Sequence, residues 1–432
     1  MSNRALVVLG AGLSQRPLMQ RARERGITTC AIDGRTDRPA IDAADSFIHQ
    51  DFSDVPATLA ALTAAGIEPL GIASMGSDHA VVPGARLAEA LGLPGIPVEA
   101  ALVSTDKVRQ RGLYRDHGVP SAGFAAARTV AEALAAYDEL GPRVIIKPTD
   151  GAAQRGVSDV TERAEVEAAV AHALPHSRTG ELIVEEYLEG LEYTVNAFVL
   201  NGVFHPVTVT LRDLAPAPAV GICVAHRYPC GRSEAETELI IDAVRRAAEA
   251  IGIDTAPVYA QVRFGPAGPK LIECGARLGG GGDAQLAQLV VGIDMIDTVL
   301  DASLGIDAAA SLVAQAMSEP VGHSYFVIPP APGLILLAGP GQAPTMPGVH
   351  NVGFFHRAQQ ILPPLWSASG RLAVLLITAP SDADLDRRTA AAVAALDVSI
   401  EAMSNADAAA AWTARLARER DGAPAEYDPG NG

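Results

Sequence analysis

The 432-residue chain is poor in aromatic side chains and in positive charge. Aromatic residues make up only 4% of the sequence, while hydrophobic residues reach 49%. The formal net charge of −17 leaves no general basic surface, so we expect neither nucleic acid nor an anionic membrane as a partner. A nucleotide ligand remains compatible with this balance, because it needs only a few local lysines and arginines.

Cysteine and long apolar runs are also scarce. The four cysteines form no CxxC pair and no Cys/His cluster with zinc spacing, which predicts buried, reduced thiols at Cys30, Cys223, Cys230 and Cys274. No apolar run approaches the ~20 residues of a membrane span. The start MSNRALVVLGAG leads directly into a strand, without the apolar core of a signal peptide. We therefore expect a cytoplasmic protein.

The chain is longer than one typical core, so its length predicts two or three domains. Apolar strand patterns such as ALVVL (5–9) and ITTCAID (27–33) alternate with helical patterns in the first hundred residues. This alternation predicts a parallel, doubly wound sheet. We place domain boundaries near residues 103 and 305, a smaller α+β domain over 306–417 and a disordered tail over 418–432.

A partial dinucleotide fingerprint makes a nicotinamide-dependent dehydrogenase the obvious rival interpretation. GAG at 10–12 follows the first strand, and Asp33 ends the second strand about twenty residues later. The third glycine of the fingerprint is missing, however, because Gln15 stands there. Tight strand-to-helix turns also need glycine for purely structural reasons, and no hydride-transfer site follows along the chain.

The stretch LIECGARLGGGG (271–282) is the first that indicates a site for anions and metal. An apolar strand runs into Glu273, whose carboxylate is costly to bury unless a cation or donor meets it. Arg277 supplies a fixed charge four residues later, either for a ligand or in a structural pair with Glu273. The following run, Gly279 to Gly282, lets a backbone or ligand approach closely.

Three other stretches carry charged residues at the ends of strands and helices. Lys107 begins a basic helix, and Lys147 ends an apolar strand ahead of a loop containing Gly151 and Gly156. A lysine placed there can meet phosphate oxygens while loop amides add donors. A further strand and its successor supply Glu185, Glu186, Leu188 and Glu192.

In these stretches, taken in order and spacing, the sequence resembles the ATP-grasp superfamily, and within it the carboxylate–amine ligases that make dipeptides and related amides. The resemblance runs from Leu6 to about Gly305. It implies an α/β fold with a Rossmann-like N-terminal domain (1–103), an ATP-grasp core of two α+β subdomains (104–305, lid about 120–190) and a smaller C-terminal α+β domain.

The resemblance also implies roles for individual residues, with ATP and Mg²⁺, or Mn²⁺ in its place, as cofactors. Lys107 and Lys147 would contact the α- and β-phosphates, and the loop from Gly151 to Gly156 would close over them. The hinge strand, with Glu185, Glu186 and Leu188, would bind the adenine edge. Glu192 would accept hydrogen bonds from the ribose hydroxyls.

The same resemblance makes Glu273 the metal-binding carboxylate and Arg277 the catalytic arginine that holds the acyl phosphate or substrate carboxylate. His226, whose H-x-x-P pattern ends at Pro229, would shape the substrate pocket, although a satisfied core histidine fits the pattern as well. Two departures from the family stand out. Gln261 occupies the place of a second metal-binding carboxylate, and Gly275 that of an asparagine. A neutral amide would weaken metal binding without forbidding it.

The reaction implied is amide formation from a small-molecule carboxylate and an amine, both amino acids or similar compounds, through an acyl phosphate. ATP-dependent carboxylation, as in biotin carboxylases and purine-pathway enzymes, stays open as a second reading. The departures at Gln261 and Gly275 keep a catalytically idle nucleotide-binding protein open as a third. A homodimer through the N-terminal domain is a common arrangement in this family.

Overall fold

A four-stranded parallel sheet begins the chain in the computed structural model, which describes residues 3–151, 153–216 and 219–420. The strand order is β3-β2-β1-β4. Helix α1 packs on one face of β1 through Leu18, and α2 and α3 pack on the other through Leu62 and Leu87. This confirms the predicted doubly wound sheet. Its elements are β1 (Arg4–Leu9), α1 (Arg16–Glu24), β2 (Thr29–Asp33), β3 (Ser46–His49), α2 (Val55–Ala64), β4 (Glu68–Ala73) and α3 (Val81–Leu91).

The residues of the partial dinucleotide fingerprint form hydrogen bonds with other groups of the same chain. Asp33 Oδ2 accepts hydrogen bonds from Ala11 N (2.9 Å) and from Arg38 Nε (3.0 Å). Gln15, which replaces the third glycine, is buried and accepts from Gly12 N (2.9 Å). The acidic residue and the turn are therefore satisfied internally, as a structural role for this motif requires.

Two helices connect this sheet to a small antiparallel sheet in the part of the chain predicted as the lid, which we call the lid sheet. The order of the lid sheet is β5-β8-β6-β7. Asp106 accepts from Arg109 N (3.0 Å) and so begins the second helix at Lys107. The elements are α4 (Val98–Ser104), α5 (Lys107–Asp116), β5 (Phe124–Ala127), α6 (Val130–Leu140), β6 (Val144–Pro148), β7 (Ser158–Val160), α7 (Val166–Ala173) and β8 (Leu182–Glu186).

An eight-stranded sheet forms the large subdomain and continues into the C-terminal part of the chain. Its order is β13-β12-β9-β10-β11-β14-β18-β16, so three C-terminal strands extend the central sheet rather than building a separate one. The elements up to the predicted boundary are β9 (Leu191–Leu200), β10 (Val203–Leu214), β11 (Cys223–Tyr228), α8 (Glu234–Ile251), β12 (Ala256–Gly265), β13 (Gly268–Gly275), α9 (Asp283–Val291) and α10 (Met295–Ser303).

The remaining strands form a three-stranded sheet of order β17-β15-β19. Of the tail predicted as disordered, residues 418–420 end the last helix and residues 421–432 lie outside the described residues. The C-terminal elements are β14 (Val321–Val327), β15 (Gly333–Gly339), β16 (Val349–Phe354), β17 (Ile361–Leu362), β18 (Ala373–Ala379), α11 (Asp382–Ala394), β19 (Asp397–Ala402) and α12 (Asn405–Arg420).

Apolar packing and ion pairs join the N-terminal sheet to the large subdomain. Leu6 and Val8 of β1 share one core with Phe198 of β9. At the edge of this core, Arg25 Nη2 lies 2.6 Å from Asp301 Oδ1 on α10. All four cysteines are free and buried, as predicted. Across the described ranges, no helix combines the length and apolar character needed to cross a bilayer.

A substitution at Gly190, between β8 and β9, tests how closely this connection packs against the large sheet. Its φ is +106°, and a Cβ there would lie 2.1 Å from Phe264 O. We expect Gly190→Ala to lower the free energy of unfolding by about 2 kcal/mol or more, measured by urea unfolding followed by circular dichroism.

Gly180→Ala is the matched control. Gly180 also has positive φ (+70°), but nothing lies within 4 Å of an added Cβ. Only the left-handed conformation is then penalised, at a cost of about 1 kcal/mol. Equal losses in the two variants would contradict the close contact between Gly190 and β12.

Candidate active site

A cleft of ≈ 1070 Å³ lies between the lid sheet and the large sheet, with the N- and C-terminal parts of the chain closing its ends. Gly156 lies outside the lining, because it packs against α7 instead: a Cβ there would be 3.1 Å from Ala173 Cα. All other residues predicted for the site line the cleft: Lys107, Lys147, Gly151, Glu185, Glu186, Leu188, Glu192, His226, Gln261, Glu273 and Arg277.

Lys107 links the loop of the lid to the base of the cleft. It is the first residue of α5, and its Nζ donates to Gly151 O (2.8 Å). The same atom lies 3.8 Å from Glu273 Oε2. One ammonium group therefore bridges the glycine-containing loop and the carboxylate on β13.

Lys147 and Glu185 form a buried cluster with Arg111. Antiparallel pairing of β6 and β8 puts Ile145 opposite Glu185, so Lys147 and Glu185 share one face of the lid sheet. Glu185 contacts Lys147 Nζ, and its Oε1 lies 2.7 Å from Arg111 Nη2. Burial acts to raise the pKa of Glu185, but Arg111 and Lys147 outweigh it and hold that pKa below its usual value. Burial lowers the pKa of Lys147.

Sequence analysis missed Arg111, which is 1% exposed and lines the cleft. It stands four residues after Lys107 on α5, and residues at this spacing share one helix face. That spacing is the signal that could have identified it. The cluster of Arg111, Lys147 and Glu185 carries one surplus positive charge toward the cleft.

The hinge residues lie at the junction of the two sheets. The side chain of Glu186 accepts from Gly123 N (3.1 Å) and from Lys270 Nζ (3.2 Å). Leu188 O accepts from Arg263 Nη1 (2.7 Å). Side-chain and backbone groups of this segment are therefore held in place by the large subdomain.

Glu192 is buried on β9 between two arginines. Its Oε1 lies 3.3 Å from Arg212 Nε, and its Oε2 accepts from Arg263 Nη2 (3.3 Å). Two cations thus face one buried carboxylate, the arrangement that a buried charge requires. Glu192 was predicted from the sequence as a site residue. Neither arginine was, because Arg212 and Arg263 lie in ordinary alternating strand patterns.

Glu273 and Gln261 face each other across β12 and β13. The ladder pairs these residues directly, and Gln261 Nε2 donates to Glu273 Oε1 (2.8 Å). Within the described ranges, no three side chains of His, Cys, Asp or Glu gather in a way that could hold a metal ion by themselves. The pair therefore fits a Mg²⁺ ion that takes one carboxylate from the protein and further oxygens from phosphates and water.

Arg277 pairs with Asp78 rather than with Glu273. Its Nε and Nη2 lie 2.8 and 3.1 Å from the two carboxylate oxygens of Asp78, a bidentate geometry. Its guanidinium carbon is 4.7 Å from the centre of the Tyr259 ring. Asp78, which follows the last strand of the N-terminal sheet, thus orients Arg277, and sequence analysis did not predict it.

The glycine run lets aromatic rings pack against the backbone beside the cleft. A Cβ on Gly279 would lie 2.6 Å from Tyr259 Cε2, and one on Gly281 would lie 2.7 Å from Phe326 Cζ. Larger residues would displace both rings. The contact that requires glycine at these two positions is therefore with protein side chains.

His226, on β11, is a buried, neutral histidine that lines the cleft beside Phe326. Its Nδ1 lies 3.2 Å from Thr194 Oγ1 and 3.3 Å from Asp283 Oδ1. Burial, followed by Arg212 and Arg371, lowers the pKa of His226 well below its usual value. Burial also raises the pKa of Asp283 to about 7. The contact between the two is therefore not a fully charged ion pair near neutral pH.

Parts of the chain are similar in sequence to known proteins. Residues 141–284 match the model of the ATP-grasp domain. The chain is 28% identical over 173 residues to D-alanine–D-alanine ligase of Pseudomonas putida (strain GB-1), covering 39% of this chain and 54% of that protein. It is 26% identical over 246 residues to alanine–anticapsin ligase of Bacillus subtilis (strain 168), covering 51% of each. The chain thus spans about half the length of these curated relatives.

The fold is shared with L-amino acid ligase from Bacillus licheniformis. That crystal structure superposes with a TM-score of 0.77 at 19% sequence identity, over 93% of this chain and 100% of that one. The predicted α/β architecture with an ATP-grasp core is thereby confirmed. The predicted resemblance to carboxylate–amine ligases is confirmed as well.

Asp283 yields a prediction about stability and pH. Its carboxyl has a pKa of about 7 in the folded chain, against an ordinary value of 3.8, so its contribution to stability is present at low pH and is lost as pH rises through about 7. Asp283→Asn removes this dependence. We expect the variant to gain about 2–3 kcal/mol relative to the wild type between pH 5 and pH 8, measured by urea unfolding. A difference that does not change with pH would contradict the raised pKa.

Proposed function

We propose that this chain, which carries an ATP-grasp domain over residues 141–284, is an ATP-dependent ligase that joins a carboxylate to an amine. The observation that carries the proposal is the convergence of cationic and metal-binding side chains in one cleft. Lys107 lies 3.8 Å from Glu273, which contacts Gln261. Lys147 from the lid and Arg277 line the same space.

The residues of the cleft fit transfer of a phosphoryl group between two anions. A carboxylate oxygen of the substrate attacks the terminal phosphorus of ATP, the bond to the ADP oxygen breaks, and an acyl phosphate forms. Such a transfer needs positive charge and positioning more than covalent help. Lys107 and the surplus charge of the Arg111–Lys147–Glu185 cluster supply that charge from the nucleotide side, and Arg277 supplies it from the substrate side.

Glu273 and Gln261 would hold the Mg²⁺ ion, which supplies positive charge to the phosphate oxygens when bound. The amine of the second substrate then attacks the acyl carbon, and the bond to phosphate breaks. The amine loses a proton in forming the amide, and phosphate is released. We propose amino acids or similar compounds as both substrates, in keeping with the names of the relatives.

The lid loop is placed to keep water from the acyl phosphate. Ala153 O accepts from Ala368 N (3.1 Å), so the loop contacts the C-terminal part of the chain across the mouth of the cleft. Ala153 and Gln154 both adopt positive φ, 59° and 58°, although neither is glycine. The loop thus holds an unfavourable backbone conformation while it covers the site.

The direct test is a screen of amino-acid pairs with Mg²⁺-ATP, in which ADP and phosphate are measured and the products are identified by mass spectrometry. An amide formed together with ADP supports the proposal. ADP release that depends on bicarbonate and needs no amine would indicate carboxylation instead. Nucleotide binding without ADP formation from any mixture would indicate an idle nucleotide-binding protein.

Glu273→Gln tests the charge at the metal. We expect it to slow ADP formation about a hundredfold or more, because the site loses its single metal-binding carboxylate. Glu249→Gln is the matched control, since Glu249 is exposed on α8 and lies outside the cleft. A Glu273→Gln variant as fast as this control would refute the assignment of Glu273.

Gln261→Glu tests whether the neutral amide of Gln261 lies at the metal site. A second carboxylate beside Glu273 should lower the Mg²⁺ concentration at which the rate is half-maximal, because charged oxygens bind this ion more strongly than an amide does. Magnesium titrations of the steady-state rate measure the change, with the exposed Gln342→Glu as control. An unchanged Mg²⁺ requirement would place Gln261 away from the ion.

A further inference from the structure

Arg371 brings a positive charge from the C-terminal part of the chain into the cleft, where no carboxylate of the described ranges pairs with it. It lies between a short helical turn at 368–370 and β18, and it lines the cleft. Its guanidinium carbon is 4.0 Å from the centre of the Phe326 ring. Its Nε is buried without a hydrogen-bond partner in the described part of the chain. A buried donor without a partner is costly, so a ligand group is expected to meet it.

The other cations at this end of the cleft have carboxylate partners. Arg212 lies 3.3 Å from Glu192, and Arg277 is bidentate with Asp78. Burial lowers the pKa of Arg371 to about 10, which still leaves it charged at neutral pH.

The nearby acid does not neutralise Arg371. The carboxyl of Asp283 is about half protonated at neutral pH because burial raises its pKa to about 7. His226, on the same wall, is neutral. This end of the cleft therefore holds a positive charge that the protein leaves largely uncompensated.

Arg371 and Arg277 form two separate cationic positions. Arg277 packs on Tyr259, the ring that approaches Gly279, and Arg371 packs on Phe326, the ring that approaches Gly281. Gly279 and Gly281, which these rings approach, are two positions apart in the glycine run. In the first step of the proposed reaction the substrate carboxylate lies at the transferred phosphoryl group beside Lys107 and Arg277. The amine substrate takes part only in the second step, so the anionic group that Arg371 meets in the first step belongs to the carboxylate substrate.

From this arrangement we infer that the carboxylate substrate carries a second anionic group, which binds Arg371. The inference rests on the proposed ligase function and narrows its substrate class to acidic amino acids or their phosphorylated counterparts. A carboxylate and a phosphate share the chemistry that a guanidinium recognises, namely two oxygens that accept parallel hydrogen bonds. The aromatic rings of Phe326 and Phe355 would contact the methylene groups between the two acids.

The binding test uses pairs of ligands that match in shape and differ in charge. With the full chain, Mg²⁺ and a non-hydrolysable ATP analogue, calorimetry compares glutamate with glutamine, aspartate with asparagine, and phosphoserine with serine. We expect the acidic member of at least one pair to bind about tenfold or more tightly, the effect of one charge-assisted hydrogen bond. Preference in the first two pairs identifies a carboxylate, and preference in the third identifies a phosphate.

Arg371→Met and Arg371→Lys assign the preference to this side chain. The methionine variant keeps the length and loses the charge, so the ratio of acidic to neutral affinity should fall about tenfold toward one. The lysine variant should keep most of the ratio. The ratio separates loss of the charge from general damage, because damage weakens both ligands of a pair. Binding of the ATP analogue and the unfolding temperature confirm that each variant is folded.

The outcomes separate this inference from the ligase proposal. Equal affinities within every pair, or a ratio that Arg371→Met leaves unchanged, overturn the inference while amide formation can still support the ligase. Preferential binding of an acid, without ADP or amide in the presence of any amine, overturns the ligase and retains an anion-binding position at Arg371.

Discussion

The contact of Glu185 with Arg111 and Lys147 is the constraint on which the cleft depends. These three buried charges come from β8, α5 and β6, so they fix the lid sheet against the helix that carries Lys107. Burying charge is costly unless its partners are well placed. Because two cations share one carboxylate, the cluster keeps its shape and still presents positive charge to the cleft. The proposed phosphate binding and the position of the lid sheet thus depend on one electrostatic arrangement.

A similar surplus recurs around the glycine run. Glu192 contacts Arg212 and Arg263, and Asp78 orients Arg277, whereas no carboxylate in the described part of the chain pairs with Arg371. Among the described residues, nine lysines and arginines and six aspartates and glutamates line the cleft, whereas the whole chain has a net charge of −17. The positive charge of the cleft attracts anions that the acidic surface of the rest of the chain would otherwise repel.

The fold was predictable because its signals are local. The strand ALVVL and the helical patterns of the first hundred residues follow periodicities that one segment specifies by itself, and they predict the doubly wound N-terminal sheet. The ATP-grasp core was predicted from the resemblance to a known superfamily. The lysines and glutamates of the cleft could be predicted because they stand at strand and helix ends in a spacing that resembles a known superfamily.

The side-chain partners could not be predicted in the same way. Asp78 meets Arg277 across 199 positions of sequence, and Arg371 reaches the cleft from beyond the predicted domain boundary. Such pairings depend on how domains pack, which no local pattern encodes. Arg111 is the exception, because its place one helical turn after Lys107 is visible in the sequence.

The ladder that runs without interruption from β13 to β16 has a consequence for how specificity in such a chain can be altered. The strand carrying His226 pairs with β14, and β14 pairs with β18. Hydrogen bonds therefore fix the segment just before β18 in register with the strands that carry Glu192 and Glu273. A chimera in which the C-terminal third came from a relative would acquire the substrate selectivity of that relative only if β11 and β14 still paired in the same register. A slip of one residue would turn every imported side chain to the opposite face.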